Sequence, residues 1–190
     1  MTADNPLLQD FDLPPYSAIR PEHVEPAVDA ILADSRVAIA QLLTEQNAAP
    51  SWNGLVLALD ELGARLSRAW SPVSHLNAVC NSAELRAAYE ACLPALSAYS
   101  TEMGQNRELF QAFEALAHSP HVADFDQAQL TILEHSLRDF RLSGIDLPHD
   151  KQKRYAEVQS KLSELGSKFS NQLLDATQAW TKHVTDEATL

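Results

Sequence analysis

The chain has 190 residues, of which 45% are hydrophobic and only five are glycine, so it fits one folded domain with a substantial core and no disulfide or metal staples. Its 26 acidic and 14 basic residues give a formal charge of -12. That charge argues against binding to nucleic acid or to anionic membranes, because both need a basic surface. No segment approaches the roughly 18 apolar residues of a membrane span, and no signal peptide is recognisable, so we expect a cytoplasmic protein.

The first predicted element is an extended arm over residues 1–20, where Pro6, Pro14 and Pro15 oppose a helix. A first helix is expected to begin at Pro21, because proline is favoured in a first turn, and to end at the NAAP segment of residues 47–50. Its apolar positions follow helical spacing and are Val24, Val28, Ile31, Leu32, Ile39, Leu42 and Leu43.

A second helix is predicted after Ser51, which is a good N-cap. Its apolar stripe continues through Pro72, so we expect a kinked helix rather than a break, with the stripe ending at Cys80. The stripe consists of Leu55, Leu59, Leu62, Leu66, Trp70, Val73, Leu76 and Cys80. Cys80 and Cys92 match no metal or redox spacing, and we expect two reduced, buried thiols.

The third predicted helix is one long seam in which Pro94 marks a second kink and Asn106 interrupts the apolar positions. Its apolar residues are Leu85, Tyr89, Cys92, Leu96, Tyr99, Met103, Phe110 and Phe113. A linker over residues 118–124 follows, and Asp124 with Gln127 resembles a capping box at the start of a fourth helix. That helix has Leu130, Leu133, Leu137 and Phe140 facing inward, and Gly144 is expected to cap its end.

The longest helix is predicted after Pro148, with Lys182 and His183 at its C-terminal end. Its apolar positions, spaced by about 3.6 residues, are Tyr155, Val158, Leu162, Leu165, Phe169, Leu173, Ala176 and Trp180. No alternating pattern predicts a strand. The expected fold is therefore all-α, a bundle of about five long, mostly antiparallel helices preceded by an extended N-terminal arm.

One cluster has the residue types of a thiol protease, namely His75, Asn77 and Cys80. Such a site needs a histidine that activates the thiolate, but His75 and Cys80 are about 140° apart around one helix and cannot pair there. We interpret the segment as a helix-to-helix corner instead. In this interpretation Asn81 and Glu84 form a capping-box-like pair, with Cys80 and Leu85 as its hydrophobic staple.

Two further groups have metal-site residue types. His118, His121, Asp124 and Asp126 are close in sequence, but Pro120 separates the histidines, so a solvated linker is the expected structure.

Glu134 and His135 are half of a zinc-protease helix, yet the sequence contains no HExxH motif. Glu134 is more simply explained by an ion pair with Arg138 one turn later. The sequence also lacks GxGxxG, GxxxxGK and GxSxG motifs. We therefore predict no catalytic and no metal-binding residue in this chain, and its substrate-binding residues stay unassigned.

Three segments resemble the N-terminal region of the thimet oligopeptidase family of zinc metallopeptidases. They are NPLLQDFDLPPYSAIRPEHVEPAV, SPVSHLNAVCNSAELRAAYEACLPALSAYS and LRDFRLSGIDLPHDKQKRYAEVQSKLSELGSKFSNQLLDATQAWTKHVTDE. The resemblance covers essentially the whole chain. It implies that residues 21–190 are a helical N-terminal domain that forms one wall of a peptide channel in a longer enzyme.

The same resemblance implies that the catalytic zinc site lies outside this chain. Enzymes of this family hold one zinc ion through HExxH and a downstream glutamate in their C-terminal part, and no residue here matches those positions. The chain is thus expected to be inactive alone and to have short peptides and the missing catalytic domain as partners. A face left uncovered by that missing domain would favour self-association of the isolated chain.

Two alternatives remain open at this point. The chain is either part of such a peptidase or a freestanding helical module that binds a peptide or protein without cleaving it. Within the enzymes, an endopeptidase and a dipeptidyl carboxypeptidase are both compatible with the sequence. The length of the reading frame separates the first pair, and the position of the cleaved bond separates the second.

Overall fold

A computed structural model describes residues 4–46, 49–186 and 188, and in these residues the fold is all-α without strands. The helices are α1 (Pro21–Gln46), α2 (Ala58–Val79), α3 (Ala83–Gly104), α4 (Arg107–Ala117), α5 (Gln127–Leu142) and α6 (His149–Ala179). The all-α prediction is therefore confirmed, with six α-helices over the described ranges in place of about five. No helix in this part of the chain has both the length and the apolar character needed to cross a bilayer.

The described part of the N-terminal arm contains two short 3-10 turns, Pro6–Leu8 and Tyr16–Ala18. Asn5 fixes the first turn, because its Oδ1 accepts from the Leu7 amide at 3.0 Å and its Nδ2 donates to the His23 carbonyl at 2.7 Å. Leu7 is buried in the core beside α1. The arm is thus held against the domain by both a polar and an apolar contact.

The core consists of two clusters that share α1. The first joins the arm and the N-terminal half of α1 to α2 and α3, and the second joins the C-terminal half of α1 to α4 and α5. Helix α1 is buried along much of its length, as its apolar spacing predicted. Helix α6 contributes no buried residue and packs mainly against α3.

The predicted start of the second helix is correct at Ser51 but incomplete. Ser51 Oγ accepts from the Gly54 amide at 3.0 Å, and the next six residues, Trp52–Leu57, form a π-helical segment before α2 begins. Helix α2 then continues across Pro72 to Val79, so Pro72 does not end it. Residues 47 and 48 of the predicted NAAP break lie outside the described residues.

The prediction of one long third helix is wrong. Asn106 Oδ1 accepts from the amides of Glu108 and Leu109, both at 3.0 Å, and this cap starts α4 as a separate helix. A side-chain cap satisfies amides that a helix terminus leaves without partners. The interruption at Asn106 was therefore a helix boundary, and the apolar seam is shared by two helices.

Two helix starts also differ from the prediction. Helix α5 is capped by Asp126 in a capping box with Gln129, two residues later than the predicted Asp124 and Gln127. Helix α3 is capped by Ser82, whose hydroxyl accepts from the Leu85 amide at 3.1 Å.

Asn81 does not cap α3, because its side-chain amide binds back to Asn77 and its oxygen accepts from Arg86. The predicted pair of Asn81 and Glu84 is therefore wrong. Cys80 is exposed while Leu85 is buried, so these two residues do not form the predicted staple, and only one of the two thiols is buried.

The predictions for the end of α5 and for the two ends of α6 are only partly confirmed. Gly144 follows α5 with φ of 87°, as predicted for a capping glycine, and a Cβ there would lie 2.9 Å from Leu147 Cδ1. Helix α6 begins after Pro148 as predicted but ends at Ala179. Trp180, Lys182 and His183 therefore lie beyond the helix.

Candidate functional site

The histidine and cysteine of the first candidate cluster have separate environments. The His75 ring packs against Tyr16, with 5.5 Å between ring centroids, whereas Cys80 lies exposed directly after α2. The other cysteine, Cys92, is buried in the core, and burial together with Glu25 and Asp29 raises the pKa of its thiol to about 11. A thiol with this pKa stays protonated near neutral pH, so Cys92 is not an activated nucleophile.

The second candidate group is divided between a turn and a helix cap. His118 Nδ1 lies 2.7 Å from the Glu114 carbonyl, and His121 belongs to the 3-10 turn Pro120–Asp124. Asp126 is used as the α5 cap. Over the described ranges, no three histidine, cysteine, aspartate or glutamate side chains converge in a way that could hold a metal ion.

The third candidate, Glu134 with His135, lies exposed on α5. The predicted ion pair of Glu134 with Arg138 is wrong, because the Arg138 guanidinium instead donates to Asp139 Oδ1, with two contacts of 2.9 Å. These side chains therefore form part of a solvated helix face. Their arrangement offers no positioned acid, base or metal ligand.

The surface that distinguishes this domain is on α6. Five apolar side chains there, which we call the α6 stripe, are exposed by 39 to 68% although they follow one another at helical spacing. They are Val158 (39%), Leu162 (56%), Leu165 (49%), Phe169 (68%) and Leu173 (58%). Exposed apolar residues scattered singly are ordinary, but a contiguous row marks a surface that binds something.

The opposite side of α6 faces its own domain. The partly buried residues of this helix are Gln152, Tyr155, Ala156, Gln159, Ser163, Ser167, Asn171 and Leu174, most of them small or polar. Ser167 is about 140° around the helix from Leu162, at about 100° per residue. Helix α6 thus turns a mainly polar face towards α3 and leaves a largely exposed apolar row beside that face.

Polar contacts hold α6 against α3. Arg86 of α3 forms a two-pronged ion pair with Asp175, with N–O distances of 2.7 and 2.9 Å, and Asn171 donates to Glu90 at 2.6 Å. The hydrogen bonds from Arg86 hold the pKa of Asp175 below its ordinary range. At the start of α6, Gln152 donates to the carbonyls of Gly144 and Ile145, both at 3.2 Å.

Two clefts are lined by residues of α6, and a third lies beside one of them. One of the two, of ≈ 380 Å³, lies between the C-terminal half of α6 and residues of α2 and α3 that include Asn77 and Tyr89, and Leu173 is part of its lining. The other is a polar groove of ≈ 280 Å³ between α3 and α6, and it is lined by Ser97, Ser100, Thr101, Ser143, Tyr155, Gln159, Leu162 and Ser163. The third, a mainly apolar cleft of ≈ 400 Å³, opens beside this groove, and both include Ser143. Asp139 and Ser136 supply polar groups to the apolar cleft, and none of the three clefts contains a histidine or cysteine.

Sequence reasoning found the apolar positions of α6 but missed their exposure. A signal was present, since residues 159, 163, 167 and 171 are also spaced at four and are all small or polar. A row of small residues lets two helices approach closely, so it was a second candidate for the packed face. Composition alone did not decide which face would be covered.

Comparison with known proteins extends these observations. The sequence-family model for the N-terminal domain of neurolysin and thimet oligopeptidase matches residues 28–153. The chain belongs to this family.

Its oligopeptidase relatives are much longer. Oligopeptidase A of Haemophilus influenzae is 51% identical over 190 residues, which are 100% of this chain and 28% of that protein. Oligopeptidase A of Salmonella typhimurium is 52% identical over 186 residues, or 98% of this chain and 27% of that protein. The matched part of these relatives is their N-terminal portion.

A second kind of enzyme is more distant. The dipeptidyl carboxypeptidase of Salmonella typhimurium is 29% identical over 179 residues, which are 92% of this chain and 26% of that protein. This chain is thus more similar to oligopeptidase A than to the dipeptidyl carboxypeptidase.

Proposed function

We propose that this chain is the N-terminal helical domain of an oligopeptidase A-like zinc metalloendopeptidase that hydrolyses short peptides in the cytoplasm. The observation that supports it is identity of 51% over the whole chain to a protein of that name, of which the chain spans 28%. Residues 1–20 are the arm and residues 21–190 the domain. The domain forms one wall of the peptide channel and performs no catalysis.

Zinc does not fit the residues that the structure describes. His118 is engaged with a carbonyl of its own helix and Asp126 caps α5, and no other group in the described residues supplies three ligands. The ion is therefore assigned to the remainder of the longer enzyme, where it would activate a water for peptide hydrolysis. This domain contributes to binding and access only.

The proposed contribution to substrate choice has two parts. The domain forms a wall of a narrow channel, and the width of this channel excludes folded proteins. The formal charge of -12 attracts peptides with basic residues, because a surface with one sign of charge raises the local concentration of oppositely charged ligands. The ion pairs of Arg36, Arg65 and Arg86 with carboxylates leave this acidic surplus unchanged, since each pair is neutral.

A hybrid enzyme tests the assignment. This chain replaces the matched N-terminal 28% of the Haemophilus relative, and hydrolysis of short peptides is measured with and without a chelator. We expect chelator-sensitive hydrolysis by the hybrid and none by the 190-residue chain alone. Chelator-sensitive turnover by the isolated chain would refute the absence of a catalytic site here.

Electrostatic selection is tested with the same hybrid. Lysine-rich and acidic peptides of equal length are compared at low and high salt. We expect the lysine-rich peptide to be cleaved more efficiently and to lose this advantage as salt screens the surface charge. Equal efficiencies that do not respond to salt would refute the electrostatic part and leave the size argument standing.

Product analysis separates the two enzyme activities. Cleavage at internal bonds is expected, in line with the greater similarity to oligopeptidase A, whereas successive release of C-terminal dipeptides would indicate the dipeptidyl carboxypeptidase. The freestanding binding module is tested by the gene itself. A reading frame that continues to an HExxH motif dismisses it.

A further inference from the structure

Helix α6 is amphipathic, but its apolar face is not the face that packs on the domain. An amphipathic helix is stabilised in a protein mainly by burying its apolar face. Here ion pairs and amide hydrogen bonds to α3 position the helix instead, while Leu162, Phe169 and Leu173 remain more than half exposed. The sequence thus retains an apolar row that contributes little to the stability of this domain.

The surroundings of the α6 stripe resemble a protein interface. From Val158 to Leu173 it extends about 22 Å along the helix, at about 1.5 Å per residue. A ridge of ion pairs flanks it, in which Glu164 binds Lys161 at 2.7 Å and Lys168 at 3.3 Å. Apolar centres with charged rims are typical of surfaces that bind another folded polypeptide.

The longer relatives indicate what covers the stripe. They match this chain over their N-terminal 28%, so the remaining part of each polypeptide follows the segment equivalent to α6. A second copy of this chain is a poorer occupant, because its approach would bring together two surfaces of formal charge -12. An anionic membrane is disfavoured for the same reason.

We propose that the α6 stripe is the docking face for the C-terminal part of the full-length peptidase. This inference rests on the proposed function in one respect, namely that the natural protein has such a part. Apolar side chains of that part pack on Phe169 and its neighbours. They thereby fix the wall relative to the catalytic portion, and the polar contacts to α3 fix the stripe relative to the rest of this domain.

Hydroxyl-radical footprinting tests the proposal through the oxidation of Phe169. The rate is measured in the 190-residue chain and in the hybrid with the Haemophilus relative. We expect it to fall by about fivefold or more in the hybrid, because side chains at the centre of an interface lose nearly all contact with water. An equal rate in both proteins would overturn the proposal.

A matched pair of variants gives a second measurement that does not need a folded hybrid. The 190-residue chain is mixed with the Haemophilus protein that lacks its matched N-terminal part, after circular dichroism has shown that this truncated protein is folded, and the complex is titrated calorimetrically. We expect Phe169→Glu to weaken binding by at least about tenfold, as for a central contact residue, and Val37→Glu, at an exposed apolar position of α1 outside the stripe, to have little effect. No binding by the unsubstituted chain, or equal losses with both variants, would overturn the proposal.

The two proposals fail in different ways. A protected Phe169 in an inactive hybrid leaves the docking face standing and counts against the peptidase function. An active hybrid in which Phe169 is oxidised as fast as in the isolated chain supports the peptidase function and overturns the docking face. Self-association of the 190-residue chain that Phe169→Glu abolishes, with no binding to the Haemophilus part, would identify a second copy as the occupant and overturn the proposal.

Discussion

Helix α1 buries eight of its 26 residues, whereas α6, with 31 residues, buries none. Both helices have apolar side chains at helical spacing, and both contact α3. Helix α1 lies between two core clusters, while α6 lies on one side of the bundle and is held there by polar side chains. An amphipathic pattern therefore does not by itself mean burial, because burial depends on what lies opposite each face.

The largest expected effect is a difference in the cost of truncating an apolar side chain on each helix. Ile31→Ala in α1, where the side chain is 1% exposed, should lower the free energy of unfolding by about 2 to 5 kcal/mol through lost burial and a cavity. Leu162→Ala in α6, where the side chain is 56% exposed, should change it by less than about 0.5 kcal/mol. Urea unfolding of the 190-residue chain measures both.

A substantial loss of stability in Leu162→Ala would mean that the α6 stripe is covered within this domain. The contrast between the helices, and with it the docking proposal, would then be lost. A similar pair, Val28→Ala in α1 and Leu173→Ala in α6, repeats the comparison at other positions and guards against a local peculiarity of either site.

Much of the fold was predictable because it depends on local signals. Proline at position 21, the serine cap at position 51 and the glycine at position 144 act through backbone geometry and nearby hydrogen bonds. The apolar spacing identified the helical segments for the same reason, although it joined α3 and α4 into one. Such signals need no knowledge of the rest of the molecule.

The errors arose where two local signals competed or where the outcome depended on tertiary contacts. Asn106 occupied an apolar seam and was also a strong N-cap, and capping prevailed because two amides gained a partner. Asp124 and Asp126 both preceded a glutamine by three residues, and only the second formed the box. The exposure of Cys80 and of the α6 stripe depended on packing that periodicity does not describe.

Two glycines sharpen the contrast between packed and open helix surfaces at a smaller scale. A Cβ on Gly104 at the end of α3 would lie 2.6 Å from Ser143, so Gly104→Ala should destabilise the domain by about 1 to 3 kcal/mol through overpacking. A Cβ on Gly166 in α6 would meet nothing within 4 Å. Gly166→Ala should therefore stabilise α6 by up to about 1 kcal/mol through helix propensity.

Amide hydrogen exchange resolves these two effects, since it reports α6 separately from the core. Slower exchange confined to α6 is the expected result for Gly166→Ala. Faster exchange there would show that the backbone of α6 is approached by a neighbour, contrary to its open environment. Gly63→Ala is a control for the effect of helix propensity at an open glycine, because a Cβ at this α2 position also meets nothing within 4 Å.

The smallest effect concerns the ion pair that holds α6 to α3. Because Arg86 lowers the pKa of Asp175, the folded state favours the ionised carboxylate. The stabilisation is therefore complete above the ordinary value of 3.8 and is lost as the pH falls below it through the lowered pKa. In an NMR titration the Asp175 carboxyl should titrate below 3.8, and Arg86→Gln should return it towards that value.

We expect the consequence of losing this pair to be confined to α6. Protonation of Asp175 weakens a contact to α3, and α6 itself contributes no buried residue to the core. Amide protection should fall in the C-terminal half of α6 while α1 stays protected, and Asp175→Asn should show the same local loss at neutral pH. Simultaneous loss of protection in both helices would mean that α6 belongs to the cooperative core, and the difference between α1 and α6 would then be one of exposure alone.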